Sequence, residues 1–113
     1  MRMLNLYNYR ARCKSVYDGD TITLDIDLGF STWKMHQKVR LHGINTPEIR
    51  GSERSQGLVS AARLRELIDG KEVVLLSHKD KAGKYGRWLG TIYLGDININ
   101  QLLLDEGLAT IYE

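Results

Sequence analysis

Val39-Arg40-Leu41-His42-Gly43-Ile44-Asn45-Thr46-Pro47-Glu48 changes character halfway along. Its first half continues a period-2 alternation that begins at Trp33 and Met35, which predicts a strand ending near Leu41 with Arg40 directed outward. Its second half is a turn pinned by Pro47, the only proline of the chain, and it carries Glu48. Thr46-Pro47-Glu48 also reads as a helix opening, with Thr46 as cap and Pro47 at the first helical position. A cation at a strand's end and a carboxylate on the following turn can face one small volume. That arrangement suits holding a phosphate while a water is activated beside it.

Working back from this stretch, Tyr7, Tyr9, Ala11 and Cys13 alternate with polar residues and predict a first strand to about Val16. Asp18-Gly19 is a tight-turn signal. Residues 21–28 then alternate, with Ile22, Leu24, Ile26 and Leu28 inward and Thr23, Asp25 and Asp27 outward, until Gly29 breaks the pattern. Working forward, the period changes over 55–69, where Leu58, Ala61, Leu64, Leu67 and Ile68 share one helical face and Gly70 supplies the stop. Residues 73–76 read as a buried fourth strand and 88–94 as a fifth, closed by Gly95-Asp96. Asn98 with Gln101 three residues on reads as a capping box for a short helix through Leu102 to Glu106, ended by Gly107. Strand, strand, strand, helix, strand, strand, helix is the order of an α+β fold: a five-stranded OB-fold barrel with a helix between strands three and four and a short C-terminal helix. One face of such barrels often binds oligonucleotides.

The chain has 113 residues, which predicts a single domain over 1–113. With 42% hydrophobic and 27% charged residues it lies outside the disordered and fibrous classes. The net charge of +2 is unevenly spread. Lys34, Lys38, Arg40, Arg50, Arg54, Arg63 and Arg65 outnumber Glu48, Glu53 and Glu66, and Lys79, Lys81, Lys84 and Arg87 form a second group, which suits a phosphate-bearing partner. Cys13 is alone, so an intrachain disulfide and a cysteine zinc site are excluded. No run has signal-peptide or transmembrane length, so a soluble monomer away from membranes is expected, cytoplasmic as the chain stands, with a secreted mature form as the alternative. His36, His42 and His78 lack metal-ligand spacing and read as surface or strand residues; Trp33 and Trp88 read as core or barrel-edge packing.

Three clusters carry candidate chemistry: Asp18-Gly19-Asp20-Thr21, Arg40 with Asn45-Thr46-Pro47-Glu48, and Lys84-Tyr85-Gly86-Arg87. Each alone has a plain explanation as a turn, a helix opening or a hairpin tip. In this order, and with the closing run Ile99-Asn100-Gln101-Leu102-Leu103-Leu104-Asp105-Glu106-Gly107-Leu108-Ala109, the chain resembles the staphylococcal nuclease-like (thermonuclease) family over about residues 12–109. The resemblance implies a calcium-dependent phosphodiesterase cutting DNA and RNA, single-stranded or frayed, with magnesium as an alternative cation. It implies Asp20 and Asn45 as side-chain metal ligands and Thr46 as a ligand through its carbonyl. Glu48 would be the general base or water-orienting group, Arg40 and Arg87 would clamp the phosphoryl oxygens, and Lys84 and Tyr85 would contact flanking phosphates.

The chemistry of these residue types agrees. Hydrolysis of an anionic phosphodiester needs cations around phosphorus, and arginine offers a planar fork that stays charged. Oxygen-only donors favour calcium or magnesium over zinc. The chain departs from the best-known family members at Asn45, where they carry aspartate, and such a seat is one charge short. It also has a longer hairpin over 28–38, a shorter segment over 50–56, and an end at Glu113 with no counterpart of the family's last helix. The rival expectation is a barrel of nuclease ancestry that binds nucleic acid without cutting it.

Overall fold

Alternating apolar residues, clearest at Ile22, Leu24 and Ile26, make β1 (Asn8–Asp18), β2 (Thr21–Gly29) and β3 (Thr32–Leu41) a meander in the computed structural model, which describes residues 7–82 and 87–112. β1 pairs antiparallel with β2 and β2 with β3, while β5 (Glu72–Ala82) pairs with the other edge of β1 and β6 (Trp88–Leu94) with β5. The sheet closes where β6 runs parallel to β3, from Val39 opposite Trp88 to Leu41 opposite Gly90. The result is the expected five-stranded barrel with two helices, α1 (Arg54–Ile68) between β3 and β5 and α2 (Ile99–Asp105) after β6.

Inward positions of all five strands meet in one core. Cys13, Ile22, Leu24, Val39, Leu41, Leu75 and Ile92 are buried there with Leu64 and Ile68 of α1 and Ile99 and Leu103 of α2. Each such Leu or Ile contributes about 1.5–3 kcal/mol when removed from water, which is what holds the helices on the barrel. Asn100 of α2 adds a polar tie: it donates to the carbonyls of His42 and Gly90 and accepts the Ile92 N–H. The β3–β6 closure is thereby fixed from outside the strands. Asn98 caps α2 as expected, accepting the Gln101 N–H at 3.0 Å, whereas the Gln101 side chain turns to Asp105 and does not complete the box.

Several expectations are corrected. Thr46 and Pro47 do not open α1, which starts at Arg54 after a 3-10 turn over Gly51–Glu53. β5 runs well past residue 76, and three two-residue strands, β4 (Ile44–Asn45), β7 (Ile97–Asn98) and β8 (Thr110–Ile111), are too short to print an alternation. Leu58 is exposed on α1. Leu28, Trp33 and Met35 are exposed as well, because beyond Ile26 the β2–β3 hairpin has outrun its pairing with β1 and projects past the core. The three histidines do have partners. The His36 N–H donates to Asp25, and the His42 and His78 rings stack with centroids 3.8 Å apart.

Candidate active site

The two-residue turn between β1 and β2 delivers Asp20 into the protein. Its carboxylate is buried: Oδ2 accepts the Thr46 N–H at 3.1 Å and Oδ1 accepts the Thr21 hydroxyl at 3.2 Å. The turn is tightened by Asp18, whose Oδ1 accepts the Asp20 N–H at 3.1 Å. Gly19 is required here because a Cβ would lie 2.8 Å from the Thr46 side chain and from Ser60 Cβ. The Asp20 carboxylate shares the corner and opposes the ionisation of Asp18. Asp18 is pushed up to about 6, first by burial and then by its hydrogen bond to Asp20 and that group's charge.

Arg40 stands opposite Thr21 in the β2–β3 register and reaches over this corner. Nη1 donates to the Leu41 and Ile44 carbonyls, and Nη2 donates to Asn45 Oδ1 at 3.2 Å while lying 3.5 Å from Asp20 Oδ2. Its guanidinium lies 4.9 Å from the centre of the Tyr112 ring. Tyr112 arrives there because β8 pairs with β4, Asn45 opposite Thr110, and the Tyr112 N–H donates to the Gly43 carbonyl. The same pairing holds Asn45 in place.

Glu48 follows on an exposed turn braced from below. Its N–H donates to Glu53 Oε1 at 2.9 Å, and Gly57 of α1 lies so close that a Cβ would fall 2.1 Å from the Glu48 carbonyl oxygen. A side chain at 57 would lift the turn. Arg87 enters at the start of β6. Asp20, Arg40, Asn45, Glu48 and Arg87 all line one cleft of about 700 Å³, together with Asp18, Thr23, Lys38 and Tyr112. A second hollow of about 460 Å³ lies beside the same turn between Asn45, Pro47, Glu53 and Thr110, and neither arginine borders it.

The residues present fit a hard cation. Asp20 and Asn45 converge on a single point, now met by Arg40 Nη2, and every donor is an oxygen. The buried Thr46 hydroxyl has no hydrogen-bond partner and lies against Gly19. Among the described residues no group of three or more His, Cys, Asp or Glu side chains could hold a metal, so a cation here would have to draw on amide and carbonyl oxygens beside Asp20.

The structure therefore brings together Asp20, Arg40, Asn45, Thr46, Glu48 and Arg87. Lys84 and Tyr85 lie outside the described residues, as do the side chains of Lys79 and Lys81. The long basic run splits up: Arg63 is bound to Glu66 and Glu106, Arg65 donates to the Val16 carbonyl, and Arg50 donates to the Tyr17 hydroxyl. Asp18, Gly57 and Tyr112 escaped the reading of site residues. Gly57 carried a usable signal, since a glycine inside a helix costs about 1 kcal/mol relative to alanine and asks for a packing reason.

A family model described as staphylococcal nuclease homologue matches residues 38–113. The chain is 35% identical over 99 residues to a thermonuclease of Staphylococcus intermedius, covering 85% of this chain and 55% of that protein. It is 32% identical over 97 residues to a thermonuclease of Staphylococcus hyicus, covering 83% of this chain and 54% of that one. An uncharacterized protein of Bacillus anthracis is 28% identical over 114 residues, covering 97% of this chain and 50% of its own length. The chain thus spans about half the length of these curated relatives.

Proposed function

The chain belongs to the staphylococcal nuclease homologue family, and from that membership we propose that its cleft hydrolyses phosphodiester bonds of DNA or RNA in a metal-dependent reaction. Membership alone supports a nuclease-like function. The observation that carries the finer reading is the meeting of Arg40, Arg87 and Glu48 in one cleft beside the buried Asp20.

Arg40 is pre-positioned. Two backbone carbonyls hold its Nη1, so little side-chain freedom is lost when a phosphate docks, and Nη2 would yield Asn45 and Asp20 to a cation. Arg40 and Arg87 offset the charge that grows on the phosphoryl oxygens as water attacks phosphorus; one such arginine is worth about a thousandfold or more. Glu48 takes the proton of the attacking water, a role worth roughly a hundredfold to ten-thousandfold. The P–O bond to the departing sugar breaks, and that oxygen leaves protonated by solvent. Asp20, Asn45 and the Thr46 carbonyl would hold calcium, or magnesium, which when bound supplies further positive charge against the phosphate. Lys84 and Tyr85 are assigned to the flanking phosphates by family resemblance.

The test is hydrolysis of denatured DNA with calcium, magnesium or chelator by the wild type, Glu48→Gln and Arg87→Ala. Calcium-stimulated cutting that both substitutions lower by at least about a hundredfold is expected. Equal cutting by all three proteins would remove the assignment. Binding of DNA without cutting would instead favour a non-catalytic module, the reading to which the uncharged Asn45 points.

A further inference from the structure

Arg40 is held by two kinds of contact, and docking of a phosphate breaks one of them. Nη2 donates to Asn45 Oδ1 at 3.2 Å and lies 3.5 Å from Asp20 Oδ2. An anion that takes Nη2 ends both contacts, and so does a cation that takes the two oxygens. The Nη1 bonds to the Leu41 and Ile44 carbonyls remain. Guanidinium N–H groups point within the plane of the group, so these two bonds pin one corner of the fork. They do little against its tilting out of that plane. Tyr112 meets this remaining freedom: the guanidinium carbon sits over its ring at 4.9 Å, within the roughly 6 Å over which an aromatic face attracts a cation.

We propose that Tyr112 is a positioning residue for Arg40, its ring keeping the guanidinium aimed into the cleft once Nη2 has passed to the phosphate of a bound polynucleotide. This role rests on the nuclease reading of the cleft. A ring suits the task for an electrostatic reason. It attracts the cation without occupying an N–H, and it carries no charge to cancel the one that a phosphate meets. A carboxylate would do both, as Glu106 does to Arg63. The Arg40 side chain is only 16% exposed, so water weakens the attraction little.

The backbone fixes the ring beside the arginine. The Tyr112 N–H donates to the Gly43 carbonyl at 2.9 Å, and two residues earlier Thr110 pairs with Asn45. Gly43, at a φ of 80°, turns the chain between β3, which carries Arg40, and β4, whose Ile44 carbonyl accepts Nη1. Ring, carbonyl and guanidinium are thus tied to one another through a single turn. Core packing does not account for Tyr112, which is 58% exposed on the wall of the cleft. A platform for a base would keep its face open, whereas one face of this ring is covered by Arg40.

The experiment uses the full chain carrying Glu48→Gln, in chelator, with inorganic phosphate and a thymidylate trimer as probes, followed by NMR through the Arg40 Nε–Hε signal. In the free protein Tyr112→Ala should move that signal as the ring current is lost, and Tyr112→Phe should leave it in place. Tyr112→Ala should weaken both probes by the same factor, about threefold to thirtyfold. Tyr112→Phe should bind as the parent does, and Tyr112→Leu, which keeps apolar bulk without the ring, should behave as the alanine variant. A loss confined to the trimer would make Tyr112 a platform for a base and overturn the positioning role. Parent-like affinity for both probes in Tyr112→Ala, or in Tyr112→Leu, would overturn it too, and each of these results leaves the cleft reading intact. Failure of both probes to bind the parent, or Arg40→Ala binding them as tightly as the parent, would overturn the cleft reading and the role of Tyr112 with it.

Discussion

Arg40 and Arg63 each make several bonds, and they are held in opposite ways. Arg63 gives Nε and Nη2 to the two carboxylate oxygens of Glu106, each at 2.8 Å, and Nη1 to Glu66. Its pKa is driven upward by those hydrogen bonds, and Glu106 is held below its usual range by Arg63. That charge is fully answered, and its effect is to latch α1 to the end of α2. Arg40 is held mainly by neutral oxygens, two carbonyls and one amide, with a single carboxylate at 3.5 Å and an aromatic face beyond. Neutral acceptors fix a guanidinium without cancelling its field. The difference separates an arginine that fastens from one that can still receive an anion.

The sharpest break of this comparison is substitution of each arginine by alanine in the DNA hydrolysis assay. Arg40→Ala should lose about a thousandfold or more, while Arg63→Ala should hydrolyse as the wild type does and show only a small fall in melting temperature. Equal losses would mean that the two environments do not differ in function.

A second, smaller effect tests whether the base depends on the backbone beneath it. Gly57→Ala places a methyl against the Glu48 carbonyl, and such overpacking should cost about 1–3 kcal/mol in urea unfolding. Hydrolysis should fall by more than the folded fraction explains, because the Glu48 turn is lifted. Wild-type stability would show that the turn adjusts freely.

Third, Asn45→Asp gives Arg40 a charged acceptor and makes it more like Arg63. Calcium binding should tighten by about tenfold in titration calorimetry, as added ligand charge does at oxygen sites. Unchanged affinity would remove residue 45 from the cation seat.

The smallest expected effect concerns His42. Burial lowers its pKa first and the neighbouring Arg40 charge second; His78 is lowered by burial and then by His42. A histidine whose folded pKa is depressed adds stability above its unfolded value, about 6.5, and that stability is lost as pH falls through the folded value. Melting temperature should therefore drop as pH goes from about 7 toward 5, and His42→Gln should flatten the drop. An unchanged slope in the variant would disconnect the stacked pair from acid sensitivity.

The barrel was legible because it is written in long alternations. β1 and β2 each bury three apolar residues toward the core, β3 and β6 bury two residues each at alternate positions, and the helix of 15 residues shows its change of period. The two-residue strands β4 and β8 have no period to read, yet they carry Asn45 and bring Tyr112 to Arg40. Leu28, Trp33 and Met35 fit an alternation in sequence and are exposed all the same, and the β2–β3 register slips between Gln37 and Lys34 and again between Asp27 and Gly29. Alternation reports which side a residue faces, whereas burial requires something on that side, and the hairpin has run beyond it. At the site, Arg40 and Glu48 could be read from the spacing of a single stretch. Asp18 could not, since its perturbation arises first from burial and then from a second carboxylate folded against it.

The parallel seam between β3 and β6 has a kinetic consequence. Arg40 lies on one side of it, opposite Leu89, and Arg87 precedes Trp88 on the other. The seam joins parts of the chain separated by all of α1 and β5, so it is a long-range contact that must wait for the loop between to be closed. Helices and hairpins can form earlier without placing the two guanidinium groups near one another. The two arginines of the proposed clamp are therefore brought together only once this seam has closed.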